Sequence, residues 1–392
     1  MTKEVVIING ARTATGSFQG LLSSLDASDL GAEVIKEAII RSGIQPSDIN
    51  EVIMGCVLSA GLKQGPARQA MRKAGLPDSV SAVTINKLCG SGMKSVMQAS
   101  DMILAGSADI IVAGGMESMS NAPYILTKTR TGYRMGHGDI KDHMFLDGLE
   151  DAETGRLMGS FAQDTANVKG YTRSQMDEFA IRSLKRAQIA INQGYFKNEI
   201  VPITISNKKG DRNIDQDEQP LNAKLDKIPT LKPAFSINGT ITAANTSSIS
   251  DGASALVLMS NDIAQQKNLQ PLAKIVATAS NSQHPSEFTL APIGAISKVL
   301  EKANWEVKDI DLWEINEAFA MVTMCAIDHF KLDSAKVNIY GGACALGHPI
   351  GSSGSRIILS LIHALKRTGG KKGIATLCIG GGEAVAIGLE IK

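Results

Sequence analysis

Two stretches near the start of the chain return, in the same order, near its end. Residues 31–52 are similar to residues 294–313, since each runs from Gly-Ala through a helical pattern and a polar turn into a short apolar run. Residues 90–117 are similar to residues 352–383, where a Ser-Gly turn, a helix and a strand lead to glycines and a Glu. Because the order is kept, these correspondences predict an internal duplication. The alternative is that unrelated helix–strand segments resemble one another.

Strands alternate with helices within the repeats. Continuous apolar runs joined by helices are typical of an α/β fold whose sheets are covered on both faces. Abundant glycine, 38 of 392 residues, favours tight strand–helix turns. The predicted elements are a strand at 5–8, a helix at 30–42 between Asp29 and Gly43, a strand at 49–55, a helix at 92–105 and a strand at 110–113.

The region between the repeats has a different character. Residues 124–142 are polar, residues 175–193 have a strong helical pattern, and residues 207–227 are charged and contain proline, which predicts a surface segment. We interpret this region as an insertion that carries substrate or subunit contacts. The predicted domains are 1–119 for the N-terminal core half, 120–247 for the loop domain, 248–270 for a return to the N-terminal core, and 271–392 for the C-terminal core half.

Composition argues against several classes of protein. The 40 Lys and Arg nearly balance the 39 Asp and Glu, which argues against a nucleic-acid-binding surface. The sequence lacks an apolar run of about 18 residues, so we expect no membrane span, and its start lacks signal-peptide and transit-peptide features. The five cysteines are odd in number and far apart. They therefore predict free thiols and a reducing, cytoplasmic location.

Cys89 stands between a short apolar strand and a helix. A helix N-terminus favours a thiolate, and the following Gly90, Ser91 and Gly92 let a substrate and backbone amides come close. These features are typical of an activated nucleophile. The alternative is a buried structural cysteine at an ordinary turn.

His348 lies between Gly347 and Pro349, in a glycine-rich segment. Histidine is the natural base near neutral pH, so this ring is a candidate catalytic group. The alternative is a turn histidine whose hydrogen bonds are satisfied locally. Cys344 and His348 also suggest a metal pair, but no second pair at ligand spacing supports zinc.

Two further strands end at candidate residues. Cys378 precedes three glycines at 380–382, whose amides could hold a phosphate or an oxyanion, although a buried strand cysteine is the alternative. The run lacks the Lys-Ser/Thr of a phosphate-binding loop, and the chain lacks a dinucleotide fingerprint. Asn316 lies between an apolar strand and a helix, where it could cap the helix or orient a water.

Together these segments resemble the thiolase family from residue 5 to residue 390. The resemblance implies a thiolase-like fold, with two duplicated α/β core domains in a layered α-β-α-β-α arrangement and an inserted loop domain. It implies a homo-oligomer, for which we predict a tetramer built from two dimers, with residues 124–142 as the joining arm. The motifs that carry the resemblance are Leu88–Gly92, Gly114–Ser120, Asn316–Ala320, Gly347–Gly351 and Cys378–Gly382.

The resemblance also implies roles for individual residues. Cys89 would carry the acyl group as a thioester, and His348 would activate Cys89. With a water held by Asn316, His348 would also bind the thioester oxygen of the second substrate. Cys378 would move the α-proton, and the backbone amides of Cys89 and Gly380 would form a second oxyanion hole. The family implies no required cofactor, and a monovalent cation used by some members is not placed.

The implied substrates are acetyl-CoA, acetoacetyl-CoA and CoA. Leu157 stands where many relatives have His, and Leu221 stands where many have an Arg for the adenine end of CoA. A phenylalanine at position 288 is similar to what the mitochondrial acetoacetyl-CoA thiolases have there, and some of those enzymes accept a 2-methyl group. The residues predicted to bind CoA or the acyl group are Met158, Phe235, Ser247, Phe288, Ala318 and Phe319.

The expected activity is therefore the reversible Claisen condensation of two acetyl-CoA into acetoacetyl-CoA and CoA. Residues 118–124 resemble the short-chain branch of the family. A broader-chain 3-ketoacyl-CoA thiolase of fatty-acid β-oxidation is the alternative enzyme. A catalytically silent acyl-CoA-binding scaffold subunit is an alternative of another class, but the chain keeps every residue that the chemistry needs.

Overall fold

The computed structural model describes residues 3–207 and 210–392. The strands are β1 Val5–Arg12, β2 Gly16–Ser17, β3 Glu51–Gly55, β4 Ser81–Ile85, β5 Ile110–Ser118, β6 Tyr124–Ile125, β7 Lys141–Asp142, β8 Ile203–Asn207, β9 Gly210–Ile214, β10 Ser250–Ser260, β11 Ala273–Ser282, β12 Leu312–Ile315, β13 Lys372–Ile379 and β14 Glu383–Ile391. The helices are α1 Ala27–Ser42, α2 Pro66–Lys73, α3 Ser91–Ala105, α4 Met158–Lys169, α5 Arg173–Asn192, α6 Glu218–Asn222, α7 Asn261–Gln266, α8 Ala291–Ala303, α9 Ala320–Phe330, α10 Ala343–Leu346 and α11 Ser353–Thr368.

The main sheet has ten strands and shows the duplication directly. Its order is β12-β13-β14-β11-β1-β10-β5-β3-β4, with β2 beside β10. In the first half β1, β10 and β5 pair antiparallel, and β5, β3 and β4 pair parallel. In the second half β11, β14 and β13 pair antiparallel, and β13 and β12 pair parallel. A parallel bridge from Trp313 to Val337 stands in the place of β4. The predicted duplication is confirmed, but its last correspondence is wrong, because residues 114–117 lie inside β5 whereas residues 380–383 follow the end of β13.

The two halves of this sheet and three layers of helices make five layers, as the resemblance implied. Helices α3 and α11 contact each other and strands of both halves, so they form the central layer. Helices α1 and α2 cover the first half on its outer side, and α8 covers the second half. The halves are not separate sheets, because β1 and β11 pair over residues 5–7 and 273–275.

Glycines allow the two central helices to approach closely where they begin. A Cβ atom on Gly354 would lie 2.3 Å from the Met93 nitrogen, and one on Gly92 would lie 2.9 Å from the Ser355 nitrogen. A larger residue at either position would therefore force the helices apart. The close crossing brings together the turns that precede α3 and α11, and these turns carry Cys89 and His348.

Several predicted boundaries are wrong for identifiable reasons. Helix α1 begins at Ala27 after Asp26, and the predicted cap Asp29 lies inside the helix, where its carboxylate accepts from the Asp26 N–H. Strands β1 and β5 continue through Asn9-Gly10 and Gly114-Gly115 instead of ending there. These glycines serve close packing within the strand, since a Cβ on Gly114 would lie 2.0 Å from the Ser254 oxygen.

The region between the repeats is mixed in burial. Residues 126–140 are exposed and connect β6 to β7, which pair antiparallel. Asp217 is fully buried. Its carboxylate accepts two hydrogen bonds from the Arg12 guanidinium, at 2.7 and 3.0 Å, which compensate for the loss of water. The prediction of a surface segment at 207–227, of which residues 208 and 209 lie outside the described ranges, is therefore wrong at Asp217 and also at Ile214 and Pro220, which are buried. Within the described ranges, no helix combines the length and apolar character needed to cross a membrane.

Candidate active site

Cys89 lies in the turn between β4 and α3, on a strained backbone. The preceding Leu88 has a φ angle of 46°, in the left-handed region that non-glycine residues seldom adopt. Gly90 is pressed against β13, where a Cβ atom would lie 2.4 Å from Ile379 Cδ1. Strain of this kind clusters at functional sites, where surrounding packing holds it in place. The turn therefore fixes the position of the thiol.

The electrostatics of Cys89 are those of a protonated thiol in the free protein. Burial raises the pKa of Cys89 to about 11, although the backbone amides of Gly380 and Cys89 itself lower it and the nearby Glu117 raises it further. Both amides therefore interact with the sulfur position. A base must take the proton before this thiol becomes a strong nucleophile.

His348 is buried and neutral, and its tautomer follows from its neighbours. Its Nδ1 lies 2.6 Å from Ser353 Oγ, and that hydroxyl donates to the Pro349 carbonyl oxygen at 3.1 Å. The hydroxyl therefore accepts from Nδ1–H, which leaves Nε2 as the proton acceptor. Burial, with a smaller effect of Arg356, lowers the pKa of His348 to about 3. Within the described part of the chain, Nε2 has no hydrogen-bond partner.

Cys378 lies one residue before the end of β13 and lines the same cavity as Cys89. Burial raises the pKa of Cys378 well above its usual value, and a charge on Cys89 would raise it further. The next residues leave the strand, and Gly380 presents its amide to the Cys89 sulfur. Two thiols from different repeats therefore face one space.

Asn316 follows β12, beside the strand of Cys378. Its N–H donates to the Thr376 carbonyl oxygen at 3.0 Å. It does not cap a helix, because α9 begins at Ala320 after Phe319. Both polar atoms of its side-chain amide are buried and lack partners among residues 3–207 and 210–392. Buried amides are normally hydrogen-bonded, so this side chain is available to a water or a substrate.

A cavity of about 340 Å³ collects the predicted site residues. Asn316 is the exception, since it is buried outside the lining. The cavity is lined by Cys89, His348, Cys378, Gly380, Met158, Phe235, Ser247, Phe288, Ala318 and Phe319.

Three aromatic rings form one wall of the cavity. Phe319 makes edge-to-face contacts with Phe235 and Phe288, at 6.2 and 6.3 Å between ring centres. Ser247 closes the adjoining corner, because its N–H and its hydroxyl both donate to the Ala318 carbonyl oxygen, at 2.9 and 3.1 Å. The wall is therefore largely apolar, as the walls of small-molecule sites usually are.

The structure adds residues that the sequence did not single out. Phe145 and Leu149 line the cavity from a single π-helical turn, a feature that often marks functional sites. Ser353, which orients His348, had a local signal in the Gly-Ser run that begins α11. Of the two noted departures, Leu157 lines the cavity, whereas Leu221 is 54% exposed and lies outside it.

The possible metal pair is not formed. The Cys344 S–H donates to the backbone carbonyl oxygen of Glu317 at 3.6 Å, and the Cys344 backbone N–H donates to the side-chain carboxylate of Glu317. In the ranges that the structure describes, no three His, Cys, Asp or Glu residues are grouped as metal ligands.

Known proteins match this chain over its whole length. Family models described as the thiolase N-terminal and C-terminal domains match residues 5–262 and 269–391. Proteins named acetyl-CoA acetyltransferase from Cupriavidus necator and Escherichia coli K12 are each 48% identical, over 391 and 390 residues, and cover 99% of this chain and 100% and 99% of their own. The crystal structure of the Bacillus anthracis acetyl-CoA acetyltransferase has a TM-score of 0.97 at 42% identity and covers 100% of this chain and 99% of that one. The chain belongs to the thiolase family, as its motifs predicted.

Proposed function

We propose that this chain is an acetyl-CoA acetyltransferase that joins two acetyl-CoA into acetoacetyl-CoA and CoA, and catalyses the reverse thiolysis. The observation that carries the proposal is one apolar cavity that holds two thiols, Cys89 and Cys378, and a neutral His348. The names of the full-length relatives at 48% identity support the same activity.

The first half-reaction moves an acetyl group to Cys89. Nε2 of His348 takes the Cys89 proton, and the thiolate attacks the carbonyl carbon of acetyl-CoA. The tetrahedral oxyanion lies against the amides of Cys89 and Gly380, and each such donor contributes about 3 kcal/mol. CoA leaves with the proton of Cys378. The enzyme then holds acetyl-Cys89, a thiolate at Cys378 and a proton on Nε2.

The second half-reaction uses the charges that the first one left. The Cys378 thiolate takes an α-proton from a second acetyl-CoA, and the protonated Nε2 of His348, with a water on Asn316, stabilises the enolate oxygen. The enolate carbon attacks acetyl-Cys89 and expels its thiolate, which recovers its proton from His348. Each group ends in its starting protonation state, because the α-proton replaces the Cys378 proton that left with CoA. The same groups therefore serve the reverse reaction.

The decisive experiment is CoA-dependent thiolysis with acetoacetyl-CoA, 2-methylacetoacetyl-CoA and 3-ketodecanoyl-CoA. We expect turnover of acetoacetyl-CoA, and loss of turnover in Cys89→Ala and Cys378→Ala. Cys325→Ala is the matched control, because Cys325 is also a buried free thiol but lies outside the cavity. A preference for the ten-carbon substrate would instead support a degradative 3-ketoacyl-CoA thiolase. Folded protein without turnover on any substrate would support a silent acyl-CoA-binding subunit.

The proposed enzyme acts in the cytoplasm as a homotetramer. Its five free cysteines support a reducing compartment. The segment 124–142 supports the tetramer, because Met135, Tyr124 and Ile140 are 91%, 69% and 64% exposed. Exposed apolar groups of this size mark contact surfaces. Replacing residues 127–139 by a short Gly-Ser loop should halve the mass measured by light scattering, and an unchanged mass would refute the role of this arm.

A further inference from the structure

The loop that carries His348 docks onto the first half of the fold through Gly351. Three glycines from that half surround the Gly351 carbonyl oxygen: Cβ atoms on Gly115, Gly55 and Gly92 would lie 1.9, 2.8 and 3.0 Å from it. Gly115 lies within β5, Gly55 ends β3, and Gly92 is the second residue of α3. A side chain at any of these three positions would occupy the space of the Gly351 carbonyl oxygen. The oxygen therefore lies in a cradle made of backbone atoms.

Glu117 holds the same residue from the other side. Its Oε2 accepts from the Gly351 N–H at 2.9 Å and from the Val57 N–H at 3.1 Å. Its Oε1 accepts from the Leu58 N–H at 3.0 Å, and the Cys56 thiol lies 3.8 Å away. The carboxylate is fully buried, and no cation pairs with it among the described residues. Three backbone amides of two distant segments therefore converge on one side chain.

The segments joined by Glu117 form the immediate surroundings of the reacting thiol. Val57, Leu58 and Ile350 lie in one apolar cluster, and Leu88 and Cys89 pack against it. Only two residues separate His348 from Gly351, and one of them is the rigid Pro349. The placement of the Gly351 amide therefore limits where the imidazole can lie relative to the thiol.

We propose that Glu117 is a positioning residue, whose carboxylate sets His348, from the second repeat, against Cys89, from the first. The proposal rests on the proposed function only in taking these two residues as base and nucleophile. Glu117 touches no substrate in this scheme, since it does not line the cavity. Its effect passes through the backbone of the two segments it joins.

The chemistry of the three amides makes Glu117→Gln informative. A glutamine has almost the same shape but one acceptor oxygen, so its NH₂ group must face at least one backbone N–H. Two donors that face each other in a buried site repel, and the loops must separate. Glu117→Asp keeps both oxygens but is one methylene shorter, so it reaches one segment and not both.

The test measures the alkylation rate of Cys89 by iodoacetamide, located by mass spectrometry, together with kcat and KM for acetoacetyl-CoA thiolysis. We expect Glu117→Gln to slow alkylation and kcat at least tenfold and to leave KM within about twofold, because the wall of Phe235, Ser247 and Phe319 belongs to other elements. His348→Asn sets the scale for losing the base.

Asp311→Ala is the control for general loss of stability. The Asp311 carboxylate also holds two backbone amides, of Lys371 and Lys372 at 2.7 and 3.0 Å, but at the far end of β12 from the site. We expect it to lower the unfolding midpoint and to keep normal alkylation. Glu117→Asp is measured beside Glu117→Gln, because it keeps the negative charge that raises the pKa of Cys89, whereas loss of that charge in Glu117→Gln by itself favours alkylation.

Normal Cys89 alkylation in folded Glu117→Asp, which keeps the charge near the thiol, would overturn the proposal. A rise in KM at unchanged kcat would overturn it as well. Absence of thiolysis in the unmodified protein would count against the proposed function alone, since the alkylation rates still compare the positions of base and thiol.

Discussion

Gly115→Ala tests whether the cradle around Gly351 controls the active site. The new Cβ would lie 1.9 Å from the Gly351 carbonyl oxygen and 2.8 Å from its carbon. Such contacts are essentially never closer than 3.0 Å, so the carbonyl must retreat by about 1.1 Å. Both partners are backbone, and no flexible side chain can absorb the movement. The displacement therefore passes to the loop of His348.

The size of the effect follows from this displacement. A misplacement of about 1 Å at a catalytic group costs on the order of 10²-fold in rate. Overpacking of a buried strand costs about 1–3 kcal/mol of unfolding free energy. We therefore expect Gly115→Ala to fold, with a lower urea midpoint, and to lose about a hundredfold in the kcat of thiolysis.

Gly388→Ala is the matched control for this substitution. Gly388 also lies in a buried strand, but its Cβ would meet the side chains of Trp305 and Val299 at 3.0 Å in the outer layer. We expect it to lose stability and keep its kcat. If Gly115→Ala folds and stays within threefold of the parent kcat, the reasoning that links the cradle to His348 is refuted.

Three further outcomes follow from the site and the core. Alkylation of Cys89 in the free protein should keep rising from about pH 7 to pH 10, since burial raises its pKa to about 11, and should show no step between pH 6 and pH 7, because burial holds the pKa of His348 at about 3. A plateau in the alkylation rate below pH 9 would show that the pKa of Cys89 is lower than this. Phe288→Leu removes a ring that is 3% exposed, so it should shift kcat/KM toward 3-ketohexanoyl-CoA over acetoacetyl-CoA by about tenfold; an unchanged ratio would mean that this ring does not limit the acyl group. Arg12→Met leaves two buried carboxylates without their cation, and urea unfolding should show a loss of about 3–5 kcal/mol; a loss below 1 kcal/mol would show that these groups are solvated.

The sequence singled out Cys89, His348 and Cys378, and the structure brings the three side chains to one cavity. Each of them stands at a strand or helix end beside glycines, and such local signals survive without knowledge of the fold. It also placed Asn316 correctly after a strand, but it left open a helix cap that the structure excludes, since α9 starts four residues later. Local patterns thus locate turns, and only packing decides which neighbours the turns meet.

Glu117 could not be assigned from the sequence for this reason, whereas Ser353 lies five residues from His348, in a Gly-Ser run that gave a local signal. Glu117 acts on backbone amides about 60 and 234 residues away, and nothing in its own segment indicates them. Gly114 and Gly115 were predicted to end β5, because glycine usually interrupts a strand. They remain in the strand because backbone from β10 and from the Gly351 turn presses against them. Where two distant segments approach closely, the sequence has a glycine, but the glycine does not show which segment it contacts.

Glu383 offers a comparison with Glu117, because each of these glutamates contacts the turn before the central helix of the other repeat. The two are not equivalent in the duplication, since Glu117 lies near the end of β5, whose counterpart is β13, whereas Glu383 begins β14. Glu117 accepts from the Gly351 amide, whereas Glu383 accepts from the Lys87 ammonium at 2.6 Å. The second contact is partly exposed, at 23% for Lys87 and 32% for Glu383, and ion pairs of this kind contribute about 0–1 kcal/mol. The two contacts differ in partner and in burial, so Glu383→Gln should leave Cys89 alkylation nearly unchanged, although Lys87 lies only two residues from the thiol. If Glu383→Gln slowed Cys89 alkylation as much as Glu117→Gln, any contact between the repeats near these turns would position the site, and the buried amides held by Glu117 would have no special role.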